Sequence, residues 1–243
     1  MVEGRVIVIC ALSVFLSAHF YFEVISMNKQ KMTTKELTTL AMLTAIAYAL
    51  VCCVRIPIVL FLKYEPKDVV ITIGGFLLGP SAVLVSTGVV ALLEMFTISD
   101  TGIIGCIMNL LSSCAFAFPA ALLYKRRRTM AGAISGLAVG TVTVVATMLL
   151  WNYLITPLYM TGTSRSDIAG MLLPVFLPFN LVKALLNSSF ILLLYKPVVT
   201  ALRKAGLLPA VSKKSGTKTG VLLFAALLLV SCVLYVLVLR GII

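Results

Sequence analysis

The sequence contains few residues suited to acid–base catalysis. Its 243 residues include only eight aspartates and glutamates together and a single histidine, His19. Histidine is the side chain most often used as a general acid or base, so histidine-based catalysis is not expected. The Walker A, GxGxxG, HExxH and GxSxG patterns are missing as well, which leaves no recognisable site for hydrolysis of ATP or peptide bonds. The sequence therefore predicts a protein that is not an enzyme and carries no cofactor.

The cysteines lack the spacing of a metal site or of a disulfide framework. All six lie within apolar runs, without CxxC spacing and without clustered histidines. We therefore interpret them as small buried apolar side chains and expect no metal site. The six are Cys10, Cys52, Cys53, Cys106, Cys114 and Cys232.

Apolar residues, by contrast, are abundant. Hydrophobic residues make up 61% of the chain and charged residues only 12%. Long apolar runs in such a composition predict an all-α polytopic membrane protein with one helical bundle. The net charge of +12 falls mainly in short segments between these runs. We assign it to membrane topology rather than to nucleic acid, and it places the basic run 125–128 in the cytoplasm.

The alternation of apolar and polar segments predicts six helices between Glu36 and Lys204, with both ends of this core in the cytoplasm. The expected helices cover residues 38–58, 69–78, 81–97, 102–124, 131–159 and 171–203. The polar segment 61–68 between the first two is either a solvated outer loop or a lid that contacts a ligand. The acidic residues are expected to lie scattered in outer loops.

Three regions follow from this organisation. Residues 33–205 form the six-helix core, and residues 217–243 contain an additional C-terminal transmembrane helix, most simply an anchor or packing helix. Residues 1–28 form an apolar N-terminal extension with three open interpretations. It is an extra spanning helix, an uncleaved signal-like segment, or the product of a wrongly assigned start, since Met27 and Met32 both precede a plausible cytoplasmic leader.

A stripe of polar residues interrupts the apolar segment 174–196. Asn180, Lys183 and Asn187 are spaced i, i+3 and i+7, so they share one face of a helix. A lysine embedded in such a segment costs about 2.5–3.5 kcal/mol on insertion scales, and it therefore marks an internal site by default. Two simpler explanations are a lysine that snorkels to the interface and polar groups that only join helices. The functional hypothesis is that the stripe faces a cavity and holds a small polar or partly anionic ligand.

Other polar side chains are expected at the same depth. Alternating the helices across the membrane places Asn152, Asn180, Lys183 and the segment 61–68 toward the outer leaflet, where they predict a pocket open to the outside. Asn109 on the fourth expected helix suits ligand contact and interhelical hydrogen bonding equally well.

A ridge of small residues marks the first expected helix. Ala41, Ala45 and Ala49 recur every four residues and let another helix approach closely, whether inside the bundle or in another subunit. On the fifth expected helix, Trp151 and Tyr153 look like interfacial aromatic residues.

Four sequence segments carry a resemblance to a known family. They are IGGFLLGPSA at 73–82, GCIMNLLSS at 105–113, WNYLITPLY at 151–159, and PFNLVKALLN at 178–187 followed by LLYKPV. Through them, residues from about 35 to 203 resemble the substrate-binding S component of energy-coupling factor (ECF) vitamin transporters, specifically the riboflavin-specific RibU type. The last two segments are the more specific for the riboflavin branch, since all S components share the six-helix topology.

The resemblance implies a riboflavin-binding role for several of these residues. Asn152, Asn180 and Lys183 would hold the polar pyrimidine edge of the isoalloxazine ring, and Glu65 would contact the ring or the ribityl hydroxyls. Amide and ammonium groups supply the donors and acceptors that this edge requires. The remaining candidates for the binding site are the aromatic walls Trp151 and Tyr153, together with Asn109 and Asn187.

The resemblance also implies partners. Riboflavin would be captured from outside the bacterial plasma membrane and released inward, after docking on a transmembrane T component driven by two ABC-type ATPases. The ridge formed by Ala41, Ala45 and Ala49 would be the docking face. Three other functions stay open: an S component for another vitamin or flavin-related compound, a membrane enzyme acting on lipid or isoprenoid, and a purely structural subunit. The segments 6–25 and 220–239 receive no functional assignment.

Overall fold

The computed structural model describes residues 32–59, 62–99, 101–159, 164–207 and 219–239. The N-terminal extension 1–28, with its three interpretations, lies outside these residues. Two helices and a β-hairpin come first in the described part: α1 (Thr34–Cys53), β1 (Ile56–Val59), β2 (Leu62–Tyr64) and α2 (Lys67–Leu78). The central helices are α3 (Pro80–Thr97), α4 (Gly102–Arg127), α5 (Met130–Leu154) and α6 (Thr156–Tyr159). The last group is α7 (Arg165–Met171), a π-helical segment (Leu172–Phe176), α8 (Leu177–Lys204) and α9 (Thr219–Leu239).

Six helical segments of the described chain are long and apolar enough to cross a membrane. They are α1, α3, α4, α5, the continuous run Arg165–Lys204 and α9. Helix α2 has 12 residues, which at 1.5 Å per residue reach about 18 Å and so fall short of a hydrocarbon core of about 30 Å. The expected all-α bundle of six core helices with an additional C-terminal helix is confirmed, and the chain is a multi-pass membrane protein.

The first helix ends earlier than expected, and a hairpin follows it. We expected a helix to residue 58 and then a loop, but the structure forms an antiparallel hairpin in which Ile56 pairs with Tyr64. Pro57 is the physical reason, because proline disfavours the helical conformation of the residue before it and removes a helical hydrogen bond. In β2, Leu62 and Tyr64 are buried and Lys63 is exposed, so the hairpin lies with one face on the bundle.

Helices α4 and α5 are in backbone contact. A Cβ atom on Gly136 would lie 2.7 Å from the carbonyl oxygen of Ala120, and one on Gly140 would overlap the carbonyl oxygen of Phe116. Because no side chain fits at either position, the two helices approach more closely than larger residues would permit. This pair forms one side of the bundle.

The turn from α7 into α8 contains a π-helical segment, Leu172–Phe176. Pro174 lies within this segment and Pro178 two residues after it, and neither can donate the backbone hydrogen bond that a regular helix would need there, which accounts for the wider turn. A capping box closes the start of α7, where the Ser164 and Asp167 side chains each accept a hydrogen bond from the other residue's backbone. The apolar pattern predicted that this helix begins at residue 171, but the helical run begins earlier, at Arg165.

The C-terminal helix α9 packs against α8 and touches strand β1. Ala225 and Cys232 are buried, whereas Leu227 and Val230 expose more than half of their surface. A helix that is apolar all round and exposed on one side is typical of contact with lipid. The Cys232 side chain belongs to the apolar cluster beneath the hairpin, together with Ile58 and Tyr64.

Candidate functional site

A polar cavity of about 220 Å³ opens between the hairpin and helices α4, α5 and α8. Its polar lining comprises Arg55, Lys63, Glu65, Ser99, Thr101, Asn109, Ser112, Asn152, Asn180 and Lys183. Its apolar lining comprises Leu62, Ile104, Met108, Met148 and Phe179, with Gly105 beside them. Apolar walls with a few convergent polar groups are the general pattern of small-molecule sites.

Five of the residues predicted from the sequence lie together in this lining. They are Glu65, Asn109, Asn152, Asn180 and Lys183. They come from the hairpin end, α4, α5 and α8, so the fold brings together positions that are distant in the chain. Their contact with a ligand stays a prediction.

Trp151 and Tyr153 do not line the polar cavity, contrary to the expectation that they wall it. Successive residues of a helix point about 100° apart, so the neighbours of Asn152 face other parts of the bundle. Trp151 packs against the main apolar core, where its indole nitrogen is buried without a hydrogen-bond partner in the described structure. Tyr153 packs against the apolar cluster beneath the hairpin. The apolar walls of the cavity are instead provided by residues such as Phe179 and Met148.

Two of the three asparagines in the cavity lining, Asn152 and Asn180, are fixed by their own helices. The side-chain nitrogen of Asn152 donates to the carbonyl of Met148 at 2.7 Å, and its oxygen accepts from the Thr156 hydroxyl at 3.0 Å. The side-chain nitrogen of Asn180 donates to the carbonyl of Phe176 at 2.8 Å, in the π-helical segment. Both residues are almost completely buried. Each amide is therefore held in one orientation before any ligand arrives.

Lys183 faces the same cavity from α8. Its side chain is 14% exposed, and its Nζ lies 3.7 Å from Oδ2 of Asp68. The lysine therefore does not extend into lipid, and it does not snorkel along the helix as the simpler explanation required.

A buried charge network that the sequence did not reveal lies beside the cavity. Lys67 Nζ contacts both oxygens of Glu94, at 2.6 and 2.7 Å, and Oε2 of Glu65 at 3.0 Å. Arg55 Nε lies 3.0 Å from the other oxygen of Glu65. Asn109 donates to Oε2 of Glu94 at 2.5 Å, so this cavity residue also joins helices.

The expectation that the acids lie scattered in outer loops is wrong. Glu65, Asp68 and Glu94 are all buried. Glu65 and Glu94 contact Lys67, and Asp68 lies near Lys183. One pattern in the sequence could have indicated this for Glu94. It is spaced i+4, i+7 and i+11 from Val90, Thr87 and Val83, all buried on the same face of α3. Nothing comparable marks Lys67, which opens a helix after a polar segment.

Asn187 lies beneath the cavity rather than in its lining. Its side-chain nitrogen is 3.4 Å from Oδ2 of Asp68, and its oxygen accepts from the Tyr64 hydroxyl at 3.0 Å. The other carboxylate oxygen of Asp68 accepts from the Ser113 hydroxyl at 2.5 Å. The structure thus gives Asn187 a supporting position, in place of the ligand contact expected for it.

Glu65 lies between β2 and α2, outside the membrane-spanning segments. Its burial favours the neutral form, but the positive charges of Lys67, Lys183 and Arg55 outweigh this and hold the pKa of the carboxyl below its usual value. Glu65 is therefore an anion at neutral pH. Among the described residues, no group of three or more His, Cys, Asp or Glu side chains is placed to hold a metal ion.

The alanine ridge lies on the outside of the bundle. Ala41, Ala45 and Ala49 are all exposed on α1. Helix α1 packs against α2 and α3 with its other face, which carries the buried Leu43 and Ala47. The ridge is thus available to another helix, and its use as a docking face stays a prediction.

Comparisons with known proteins agree with this architecture. A family model described as ECF transporter, substrate-specific component, matches residues 35–195. The riboflavin transporter RibU of Staphylococcus aureus (strain TCH60) is 30% identical over 179 residues, which cover 70% of this chain and 93% of that protein. The riboflavin transporter FmnP of Bacillus subtilis (strain 168) is 27% identical over 188 residues, covering 72% and 98%.

A solved structure supports the same assignment. It is described as the S component of a bacterial ECF transporter, is 28% identical and superposes with a TM-score of 0.58, covering 71% of this chain and 99% of that one. Helix α9 lies beyond the matched residues 35–195. The family match, the two curated transporters and the shared fold place this chain among the substrate-specific components of ECF transporters.

Proposed function

We propose that this chain binds riboflavin in the polar cavity, captures it from outside the cell and delivers it inward through an ATP-driven module. The observation that carries the proposal is the meeting of Asn152, Asn180 and Lys183 in one cavity wall, in a chain whose relatives are named riboflavin transporters. The relatives are transporters, and by the same reasoning this chain is not an enzyme.

The chemistry of the wall suits the polar edge of a flavin. The pyrimidine edge of an isoalloxazine carries carbonyl acceptors and an N–H donor. The amides of Asn152 and Asn180 offer both kinds of group, and Lys183 offers a cationic donor. Because both amides are held by their own helices, little rotamer freedom is lost when the ligand binds.

The remaining lining suits the rest of the molecule. Phe179 and Met148 present apolar surface to the flat ring, and Met108 lies in the same lining. Glu65 is an anionic acceptor for ribityl hydroxyls or for the ring, although Arg55 and Lys67 already share its oxygens.

The direction of transport follows from the basic residues. By the positive-inside rule, the run Lys125–Arg128 at the end of α4 supports a cytoplasmic position for this loop and for both ends of the six-helix core, with the polar cavity toward the outside of a bacterial plasma membrane. The partners are a transmembrane T component and two ABC-type ATPases.

The binding site is tested by two substitutions in α8. Lys183→Ala and Asn180→Ala are each expected to weaken riboflavin binding at least tenfold while the protein stays folded, measured by fluorescence titration of purified protein. Lys204→Ala serves as the matched control, because this lysine is exposed at the other end of the same helix. Wild-type affinity in both cavity variants would remove the site. Flavin colour and absorbance of the extracted ligand separate riboflavin from another vitamin.

The docking face is tested separately from binding. Ala45→Leu places a large side chain in the middle of the exposed ridge, so it is expected to leave riboflavin affinity unchanged and to abolish uptake in cells that hold the complete transporter. Val142→Leu, on the exposed side of α5, is the control for a lipid-facing change. Normal uptake by the Ala45→Leu protein would contradict docking through α1.

A further inference from the structure

Asp68 lies at the start of α2 and connects three elements of the bundle. Its side chain is almost completely buried. One carboxylate oxygen accepts from Ser113 on α4, and the other faces Asn187 and Lys183 on α8. Apolar contacts alone would not stabilise this buried acid, because a buried carboxylate is stable only with partners that offset its loss of water.

The partners of Asp68 distinguish it from the other two buried acids. Glu65 and Glu94 both contact Lys67, which is thereby paired twice. Glu65 also senses the charge of Lys183, but it forms its ion pairs with Lys67 and Arg55. Asp68 differs in that its Oδ2 lies 3.7 Å from Nζ of Lys183. This separation is longer than a charge-assisted hydrogen bond, so it orients the ammonium group without using up its donors.

A long side chain at the wall of a cavity needs such a partner. Lysine has a flexible four-carbon stem and many rotamers, and most of them would turn the ammonium away from a ligand. A fixed negative charge behind the cavity wall favours the rotamers in which Nζ stays between Asp68 and the cavity. Holding the group in place beforehand reduces the entropy lost on binding.

We propose that Asp68 is a positioning residue that keeps the ammonium group of Lys183 directed at the ligand, with Ser113 and Asn187 holding the carboxylate. The proposal rests on the riboflavin site described above. Tyr64 extends this arrangement to the hairpin, because its hydroxyl donates to the oxygen of Asn187. The strand that covers the cavity is thus connected through two hydrogen bonds and one ion pair to the lysine in its wall.

A double-mutant cycle between Asp68 and Lys183 tests this role. Asp68→Asn preserves the size of the side chain and its ability to accept from Ser113, but it removes the charge that holds the lysine. We expect riboflavin affinity to fall about tenfold in Asp68→Asn, equivalent to about 1.4 kcal/mol. In a Lys183→Met background the same substitution should change affinity less than twofold, because there is no ammonium left to position.

Two milder variants test the hydrogen bonds that hold the Asp68 carboxylate in place. Ser113→Ala and Tyr64→Phe each remove one hydroxyl, and each should weaken binding two- to fivefold with wild-type Lys183 and not at all with Lys183→Met. If Asp68→Asn does not fold, these two variants test the positioning role of Asp68 in its place. Asp167→Asn, in the exposed cap of α7, is the control for loss of a carboxylate elsewhere.

The outcomes separate this role from the proposed site itself. If Lys183→Met alone binds riboflavin as tightly as the wild type, the riboflavin site is wrong. If Lys183→Met weakens binding but Asp68→Asn does not, or if the two losses add, then Asp68 has no positioning role. A merely structural Asp68 would give additive losses with a lower melting temperature, which the cycle distinguishes from coupling.

Discussion

Two lysines lie within the same buried region, and their surroundings differ. Lys67 is 2% exposed and contacts two carboxylates, those of Glu94 at 2.6 Å and Glu65 at 3.0 Å. Lys183 is 14% exposed and faces the polar cavity, its Nζ lies 3.7 Å from Oδ2 of Asp68, and its charge also acts on Glu65. Lys67 is thus paired at short distance within the protein, whereas the ammonium group of Lys183 faces the cavity. The two lysines thus differ in how closely carboxylates approach them, and a ligand-binding role for Lys183 stays a prediction.

The largest expected effect comes from removing the neutralised lysine. Lys67→Met leaves the buried carboxylates of Glu94 and Glu65 without their shared cation, and breaking a buried pair in this way costs about 3–5 kcal/mol. The melting temperature of the detergent-purified protein should fall sharply, as followed by the fluorescence of the single tryptophan.

Lys183→Met is the matched variant for this measurement. Lys183 is partly exposed and lies 3.7 Å from Asp68, so its removal leaves less buried charge without a partner than the removal of Lys67. The melting temperature of Lys183→Met should therefore stay close to that of the wild type. The contrast between the two lysines fails if Lys67→Met melts like the wild type, or if both variants lose the same stability. Glu94→Gln added to Lys67→Met should restore part of the loss, since it removes one of the unpaired charges.

A smaller effect is expected from acid. The pKa of Glu65 is held below its usual value, so its contribution to stability is present above the unfolded-state pKa of about 4.3. That contribution is lost as the pH falls through the lower pKa of the folded protein. Between about pH 5 and pH 8, riboflavin affinity and stability should therefore not respond to this group.

The comparison with Glu65→Gln isolates this effect. The wild type should melt at a higher temperature than Glu65→Gln at neutral pH, and the difference should shrink as the pH falls through the lowered pKa of Glu65, where its side chain becomes neutral like that of glutamine. A difference that stays constant across the acid range would show that the ion pairs of Glu65 with Lys67 and Arg55 contribute nothing to stability.

The sequence predicted the helical parts of the site better than the rest. Asn180 and Lys183 follow from helical spacing in a long apolar segment, where each polar residue has to be accounted for. The hairpin escaped prediction because its strands are only four and three residues long, too short for a period-2 pattern to be recognised. Helix α1 ends at Cys53, earlier than expected, because of Pro57.

The charge network could not be read from local sequence. Lys67 and Glu94 lie on different helices, and each alone looks like a charge near the end of a membrane segment. Only the packing of α2 against α3 brings them together. Trp151 and Tyr153, which flank Asn152 in the sequence, face other parts of the bundle because successive residues of a helix point about 100° apart.

The glycine contacts between α4 and α5 limit how the ligand can leave. With Gly136 and Gly140 against the backbone of Ala120 and Phe116, sliding or parting these two helices would break interlocked surfaces along several turns. Asn109 and Asn152 belong to this closely packed pair of helices. Under the proposed function, we therefore expect ligand release to involve displacement of the hairpin or of α8 with its lysine rather than separation of α4 from α5.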